Sequence, residues 1–455
     1  MKKVITYGTY DLLHQGHINL LKRAKALGDY LIVGVTNDNF DRLRGKLNVK
    51  NNVLERVEAV RATGIADKII IEDYFGQKID DIQKYDVDIF TVGSDWVGHF
   101  DYLNEYCQVV YLPRTEGISS TMLREEQDDE VKIGVVGAGR IAKRFPKEAT
   151  VVSSVTINAV YDIDAAAAEA LCRLIAPQKE EKPSRLLSAS FEDLVERVDA
   201  VYIATPHLCH YQQAKYALEH GRHVLCETPM VLREDQAREL FALAEEKELV
   251  LMEANKTAFC PAFNHLVTLI KSGWIGEVVD IEASESKVWG DPTLRELDPN
   301  QAGGSFYEMG SYPLLPIFRL MGTDLENMNL YSRMENGVDI YTKGVLRYKK
   351  AVCSFKLGLG VKTEGNLVIS GTKGYAYVPA PWWKTDYFEL RYEDQNKNRK
   401  FFYSWDGEGL RYEVQEFVSC IYNHRLTSAR LRPQESIAMA RLMDQFTKRI
   451  NFMEI

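Results

Sequence analysis

Twice in this chain an apolar strand runs into a glycine-bearing corner that opens a helix, and this repetition limits the possible folds more than any other feature. The first corner follows residues 3–7 and reads Gly8-Thr-Tyr-Asp-Leu-Leu-His-Gln-Gly-His17; the second follows residues 131–136 and reads Gly137-Ala-Gly-Arg-Ile-Ala142. Apolar runs at 3–7, 30–35, 68–71, 88–92 and 108–112 alternate with helical patterns such as Ile18, Leu20, Leu21, Ala24 and Leu27, which stop at Gly28. A helix starting at His17 is expected. Such a βαβα rhythm predicts a parallel sheet with helices on both faces. The rhythm restarts at Val131 and runs to about Ala254.

Beyond about Gly276 the texture changes. Runs at 278–284, 344–348, 351–357 and 366–370 predict a large, open, mostly antiparallel sheet, and 409–421 and 433–449 read as helices. The expected fold class is α/β throughout, in three domains: 1–127, 131–254 and 255–455. A polar, acidic run at 124–130 is read as a linker, with a solvated helix end as the alternative. Residues 177–184 read as an exposed loop. A length of 455 residues suits two or three cores.

The net charge of −9 argues against general nucleic-acid binding, although a few local cations suffice for a nucleotide. No apolar run reaches about 18 residues, and the first residues read as a strand entering a functional loop, so neither a membrane span nor a signal peptide is expected. Seven cysteines, Cys107, Cys172, Cys209, Cys226, Cys260, Cys353 and Cys420, are scattered without a CxxC pair. A reduced, cytoplasmic protein without a zinc site is the expectation.

The first corner places His14 and His17 around Gly16, at a helix start. Gly8 and Gly16 let backbone amides approach an anion, and the helix start adds partial positive charge. Two imidazoles there suit charge stabilisation on a phosphate in transit; helix capping is the bland alternative. Farther along, Arg114-Thr115-Glu-Gly-Ile-Ser119-Ser120-Thr121 offers a guanidinium fork and hydroxyls at a helix start, and Gly93-Ser-Asp95-Trp96 follows the fourth strand. Together these stretches make residues 1–126 resemble the glycerol-3-phosphate cytidylyltransferases of the HxGH nucleotidyltransferase superfamily.

The resemblance implies a Rossmann-like fold and direct attack of an alditol phosphate on the α-phosphorus of CTP, with Mg2+ on the triphosphate. It assigns His14, His17, Lys46 and Arg114 to charge stabilisation. Gly8, Thr9, Tyr10, Asp11, Gly16, Arg56, Gly93, Asp95, Trp96, Thr115, Ser119, Ser120 and Thr121 are assigned to CTP or substrate. Packing is the alternative for Trp96, and a solvated lysine the default for Lys46.

At the second corner, Gly137-x-Gly139-x-x-Ala142 lies between strand and helix, and Asp162 follows the next strand at the spacing of a ribose-binding acid. With Ala204-Thr205-Pro-His207-Leu-Cys-His210, Glu227-Thr-Pro229 and Gly303-Gly-Ser-Phe-Tyr-Glu-Met-Gly-Ser-Tyr312, this part resembles the Gfo/Idh/MocA oxidoreductases over about 131–450. The resemblance implies NAD(H), with NADP(H) as the alternative, a homo-oligomer, and cofactor contacts from Gly137, Gly139, Arg140, Ile141, Asp162, Thr205, His207, His210 and Glu227. Asp162 favours NAD. For His207 and His210, simple packing is the alternative.

This chain departs from that family's pattern. Thr228 stands where a catalytic lysine is customary, and Glu308 and Tyr312 where Asp and His are usual. Tyr312 is a candidate proton donor. Lys256 either substitutes for the missing lysine or is an ordinary surface lysine. The implied protein is bifunctional, making an alditol phosphate from a keto- or aldehyde-phosphate and activating it as a CDP-alditol for a teichoic acid or capsule. A silent, NAD-binding scaffold is the competing reading of the second part. Trp382 and Trp383 are expected to pack within the late sheet.

Overall fold

The computed structural model describes residues 1–37, 40–41, 49, 51, 53–73, 76–113, 130–152, 154–176, 182–288 and 294–455, with Asp95 described by its backbone alone. The chain forms two compact units, Met1–Glu130 and Val131–Ile455.

In the first unit, strands β1 (Lys3–Gly8), β2 (Tyr30–Thr36), β3 (Lys68–Glu72), β4 (Ile89–Gly93) and β5 (Gln108–Leu112) pair in parallel in the order β3-β2-β1-β4-β5. Leu21 and Ala24, from the helix Gln15–Lys25, pack on Val4, Leu31 and Val33 of one face, while Ile82 packs on Ile5, Ile32 and Phe90 of the other. The chain reverses direction across the sheet between β1 and β4. Loops after these two strands therefore flank a crevice, where ligands of such sheets bind. The His14–His17 corner and the Gly93–Trp96 segment are those loops.

The first helix starts at Gln15, two residues before the expected His17, because the His14 ring takes the N-cap position and accepts the Gly16 amide at 3.1 Å. Gly28 ends it without a left-handed turn. A side chain there would meet the Lys2 carbonyl at 2.6 Å, so close packing requires the glycine.

The second unit begins with β6 (Val131–Val136), β7 (Val155–Tyr161), β8 (Ala200–Ile203), β9 (His223–Glu227) and β10 (Leu251–Ala254), parallel in the order β10-β9-β8-β6-β7. Its reversal point lies between β6 and β8. Nine strands follow: β11 (Val278–Ser286), β12 (Asn327–Glu335), β13 (Val338–Arg347), β14 (Val352–Gly358), β15 (Leu367–Gly371), β16 (Tyr375–Val378), β17 (Tyr387–Arg391), β18 (Arg399–Phe402) and β19 (Phe452–Glu454). They form an open sheet, β18-β17-β16-β15-β11-β14-β13-β12-β19, antiparallel except at β11–β14 and β12–β19.

The two sheets of this unit share one continuous core. Ile133 and Tyr202 of the parallel sheet belong to the same apolar cluster as Ile281, Phe355 and Leu442. An ion pair crosses that junction: buried Glu148 accepts from Arg411 Nε at 3.1 Å, from its Nη2 at 2.9 Å and from its backbone amide at 3.3 Å. Trp382 is buried and donates Nε1–H to the Ser284 carbonyl at 3.0 Å, as expected for packing. Among the described residues no helix is long and apolar enough to cross a membrane.

Candidate active sites

The imidazoles of His14 and His17 stack face to face, centroids 3.9 Å apart and planes 19° from parallel. Because Nδ1 of His14 accepts the Gly16 amide, the neutral ring carries its proton on Nε2, leaving that N–H as the donor. Helix capping and phosphate chemistry are therefore compatible in this residue. Tyr10 packs edge-on against His17, at 5.6 Å and 70°, and holds a left-handed backbone with φ of 54°. Its ring fills the space above Gly8, where a β-carbon would meet it at 2.9 Å. Gly8 thus permits the buried tyrosine that supports the histidine pair.

Arg56, expected to touch CTP, is held by the polypeptide. It is 1% exposed and donates Nε–H to the Asn51 carbonyl and Nη1–H to the carbonyls of Thr9 and Thr36 and to Asp41 Oδ2, all at 2.7–3.0 Å. Thr9 donates its hydroxyl to the other oxygen of Asp41 at 2.7 Å. Asp11, also buried, accepts the Asn51 amide at 3.0 Å. Thr9, Asp11 and Arg56 therefore fix the loop that carries the histidines. Gly93 leads into the turn Ser94–Trp96, where Trp96 is partly exposed and packs on His99 and Phe100. Lys46, Arg114, Thr115, Ser119, Ser120, Thr121 and the Asp95 side chain lie outside the described residues, as does most of the acidic run. Among the described residues, no three His, Cys, Asp or Glu side chains gather as a metal cage.

The second unit contains a cavity of about 830 Å3 at its reversal point. Gly137 and Gly139 form one wall. Gly137 has φ of +95°, and a β-carbon there would meet the Ala204 carbonyl at 2.5 Å, so only glycine keeps this cradle open. Arg140, Ile141, Thr205, His207, His210 and Glu227 also line the cavity, as does Asp162. Asp162 accepts the Ala138 amide at 2.6 Å and the Asp164 amide at 2.8 Å. A carboxylate has about four lone-pair sites, so capacity remains for ribose hydroxyls. A glycine cradle with an acid after the next strand fits a dinucleotide.

His210 is a brace. Its ring nitrogens contact the Thr205 carbonyl at 2.8 Å and the Pro229 carbonyl at 3.0 Å, tying two cavity loops together. His207 faces Glu308 at 3.8 Å, and burial holds its ring well below the ordinary histidine range. Arg295 pairs with Glu308 at 2.9 Å, yet burial still pushes that carboxyl up to about 7.

Thr228 donates to Glu253 Oε1 at 2.7 Å. Lys256 is not a surface lysine: it lines the cavity beside Glu227, Thr228 and Tyr312, and burial first, then nearby Lys384, lowers its pKa. Glu227 accepts the Tyr202 hydroxyl, and burial pushes it up to about 7. Burial, followed by the charges of Glu285 and Glu227, drives the Tyr312 phenol well above its usual range. Glu285, Lys287, Lys384 and Trp383 line the same cavity without belonging to any local motif. Only their places at the ends of a strand and a turn reveal them.

Three family models match the chain: cytidylyltransferase-like over residues 5–126; oxidoreductase family, NAD-binding Rossmann fold, over 131–255; and GFO/IDH/MocA C-terminal domain over 263–377. The glycerol-3-phosphate cytidylyltransferase of Bacillus spizizenii is 50% identical over 126 residues, which are 28% of this chain and 97% of that one. A trans-1,2-dihydrobenzene-1,2-diol dehydrogenase of Oryctolagus cuniculus is 30% identical over 274 residues, 57% of this chain and 82% of that one. The chain belongs to both families. It fuses a cytidylyltransferase domain to a GFO/IDH/MocA oxidoreductase of the kind that uses a nicotinamide cofactor. Among solved structures, a 3-ketoreductase from Actinomadura kijaniata in complex with NADP and TDP-benzene matches with TM-score 0.62 and 21% identity, over 72% of this chain and 99% of that one, which supports the GFO/IDH/MocA fold.

Proposed function

We propose that the cytidylyltransferase domain transfers CMP from CTP to glycerol phosphate or a related alditol phosphate, releasing pyrophosphate. The stacked pair His14–His17 carries this reading, together with 50% identity across 97% of a glycerol-3-phosphate cytidylyltransferase. A phosphate oxygen of the acceptor attacks the α-phosphorus in line, and no protein nucleophile is required. The Nε2–H of His14 and the ring of His17 stabilise charge on the phosphate in transit. Lys46, Arg114 and the hydroxyls of Ser119, Ser120 and Thr121 hold the remaining phosphates, and Trp96 offers a ring face to the base. Mg2+, carried in on the triphosphate, neutralises its charge.

The GFO/IDH/MocA domain reduces a keto- or aldehyde-phosphate to the alditol phosphate that the first domain consumes. Bound NAD(H) supplies the hydride. Gly137, Gly139, Arg140 and Ile141 cradle its pyrophosphate, and Asp162 binds its ribose and disfavours a 2′-phosphate. Lys256 and Tyr312 orient the substrate carbonyl, and Lys256 protonates its oxygen. The product serves a surface glycopolymer such as teichoic acid or capsule, and the protein works in the cytoplasm as a homo-oligomer.

An acceptor screen with CTP, read by product mass, tests the first activity; preference for ATP, or no CDP-linked product, overturns it. NADH oxidation with dihydroxyacetone phosphate and pentulose phosphates tests the second. The bond from Thr228 to Glu253 favours a second reading, in which this domain binds the cofactor without turnover. Failure to oxidise NADH with any of these carbonyl phosphates selects that reading.

A further inference from the structure

Glu285 sits one residue before the end of β11 and lines the cavity of the GFO/IDH/MocA domain, yet it is only 8% exposed, and among the described residues its Oε2 has no hydrogen-bond partner. Leaving a buried acceptor unsatisfied costs about 1–3 kcal/mol. Such an oxygen in a native site calls for an explanation, and a catalytic role is one.

The charged groups around it come from several elements. Lys256, at the start of helix Lys256–Phe259, Lys287, just past the end of its own strand, and Tyr312, from helix Ser311–Met321, line the same cavity. Glu227, Glu413 and Lys384 in turn surround Lys256. Burial, opposed by Lys256 and Lys287, pushes Glu285 up to about 8, so its carboxyl keeps a proton at neutral pH. Burial moves Lys256 the opposite way. An acid held up and an amine held down within one pocket are brought closer in proton affinity, which favours proton exchange.

We propose that Glu285 is the proton reservoir of this pocket, resupplying Lys256 after it protonates the substrate oxygen. The proposal rests on the carbonyl-reductase reading of the domain. As a hydride adds to the carbonyl carbon, a C–H bond forms and the C=O π bond breaks. The oxygen takes a proton from the Lys256 ammonium. The O–H bond of Glu285 then breaks, its proton passes through cavity water to the amine, and the resulting carboxylate takes up a proton from bulk solvent. Each alcohol formed consumes one hydride and one proton. Glu285 acts through Lys256, so it is a relay and not a contact of the reacting atoms.

Two measurements on the full chain test this. Infrared difference spectra of wild type against Glu285→Gln need no substrate: a protonated-carboxyl band is expected at about pH 7, fading as pH rises through about 8 and missing from the variant. In NADH oxidation with the carbonyl phosphates named above, wild-type turnover falls above about pH 8. Glu285→Gln lowers kcat on the order of 10- to 100-fold, removes that limb and leaves NADH affinity unchanged. Glu285→Asp restores a displaced limb, a result that a purely structural role does not give. If the Gln variant loses NADH binding, the Asp variant and the wild-type infrared band decide the matter. Turnover without the band, or a Gln variant with the wild-type pH profile, overturns the relay alone; no turnover with any carbonyl phosphate overturns the reductase reading and the relay with it.

Discussion

The hydroxyl of Thr228 donates to the carboxyl of Glu253 at 2.7 Å, so the residue standing where this family customarily has a lysine is bound to the protein rather than offered to a substrate. Thr is in any case a poor general acid. Lys256, three residues after Glu253, reaches the cavity instead. Lys256→Ala is expected to lower NADH-dependent carbonyl reduction on the order of 100-fold or more while leaving pyrophosphate release from CTP unchanged. Thr228→Val, by contrast, costs about 1 kcal/mol of stability, read by denaturant unfolding, with a much smaller effect on reduction.

The His14 ring does two jobs, capping a helix and stacking on His17. Asn caps helices well but carries no imidazole. His14→Asn is therefore expected to keep the thermal midpoint of the first unit and to lower cytidylyl transfer on the order of 100-fold or more. Circular dichroism melting and pyrophosphate release, measured on the same preparation, separate the two roles.

Arg56 is buried against Asp41 and three backbone carbonyls, and removing one partner of a buried pair leaves the other charge uncompensated. Arg56→Met is expected to destabilise the first unit by about 3 kcal/mol or more. A variant of normal stability with only a raised KM for CTP would show that Arg56 serves the nucleotide and not the fold.

The second unit also sets a pH dependence of stability. Burial raises Glu227 and Glu308 to about 7 and Glu285 to about 8, so these carboxyls keep protons that the unfolded chain has already lost. With the folded state binding more protons, stability falls as pH rises from the ordinary carboxylate range through these values. Buried His207, His210, His223 and His265 are held low, and they oppose this trend up to about pH 6.5. Urea unfolding is therefore expected to show a net loss of stability between about pH 7 and about pH 8, and Glu285→Gln to flatten it.

The sheets were legible because their strands are short apolar runs bounded by glycine and polar corners. β5 and β6 have the expected ends, β1 through β3 differ from expectation by one residue at one end, and β4 is shifted by one residue at both. The first helix start was misread because a histidine is an unusual cap and its spacing alone does not show what its ring accepts. Glycine cradles and the histidine pair could be read since their spacing is local. The bracing contacts of Arg56 could not, because its three carbonyl partners come from positions 9, 36 and 51 and meet only in the folded chain. Glu285 and Lys384 were hidden for the same reason. A glutamate late in an alternating strand looks solvent-facing until the parallel sheet and its helices close over it.

Glu148 and Arg411 lie 263 residues apart in sequence, and their contact pins the helix after β6 to the C-terminal helix Leu410–Tyr422. Swinging the two halves of the second unit apart would strand a carboxylate in an apolar seam. Parting the exposed pairs that Arg144 and Lys384 make with the half-exposed Glu408 would cost far less than breaking this buried one.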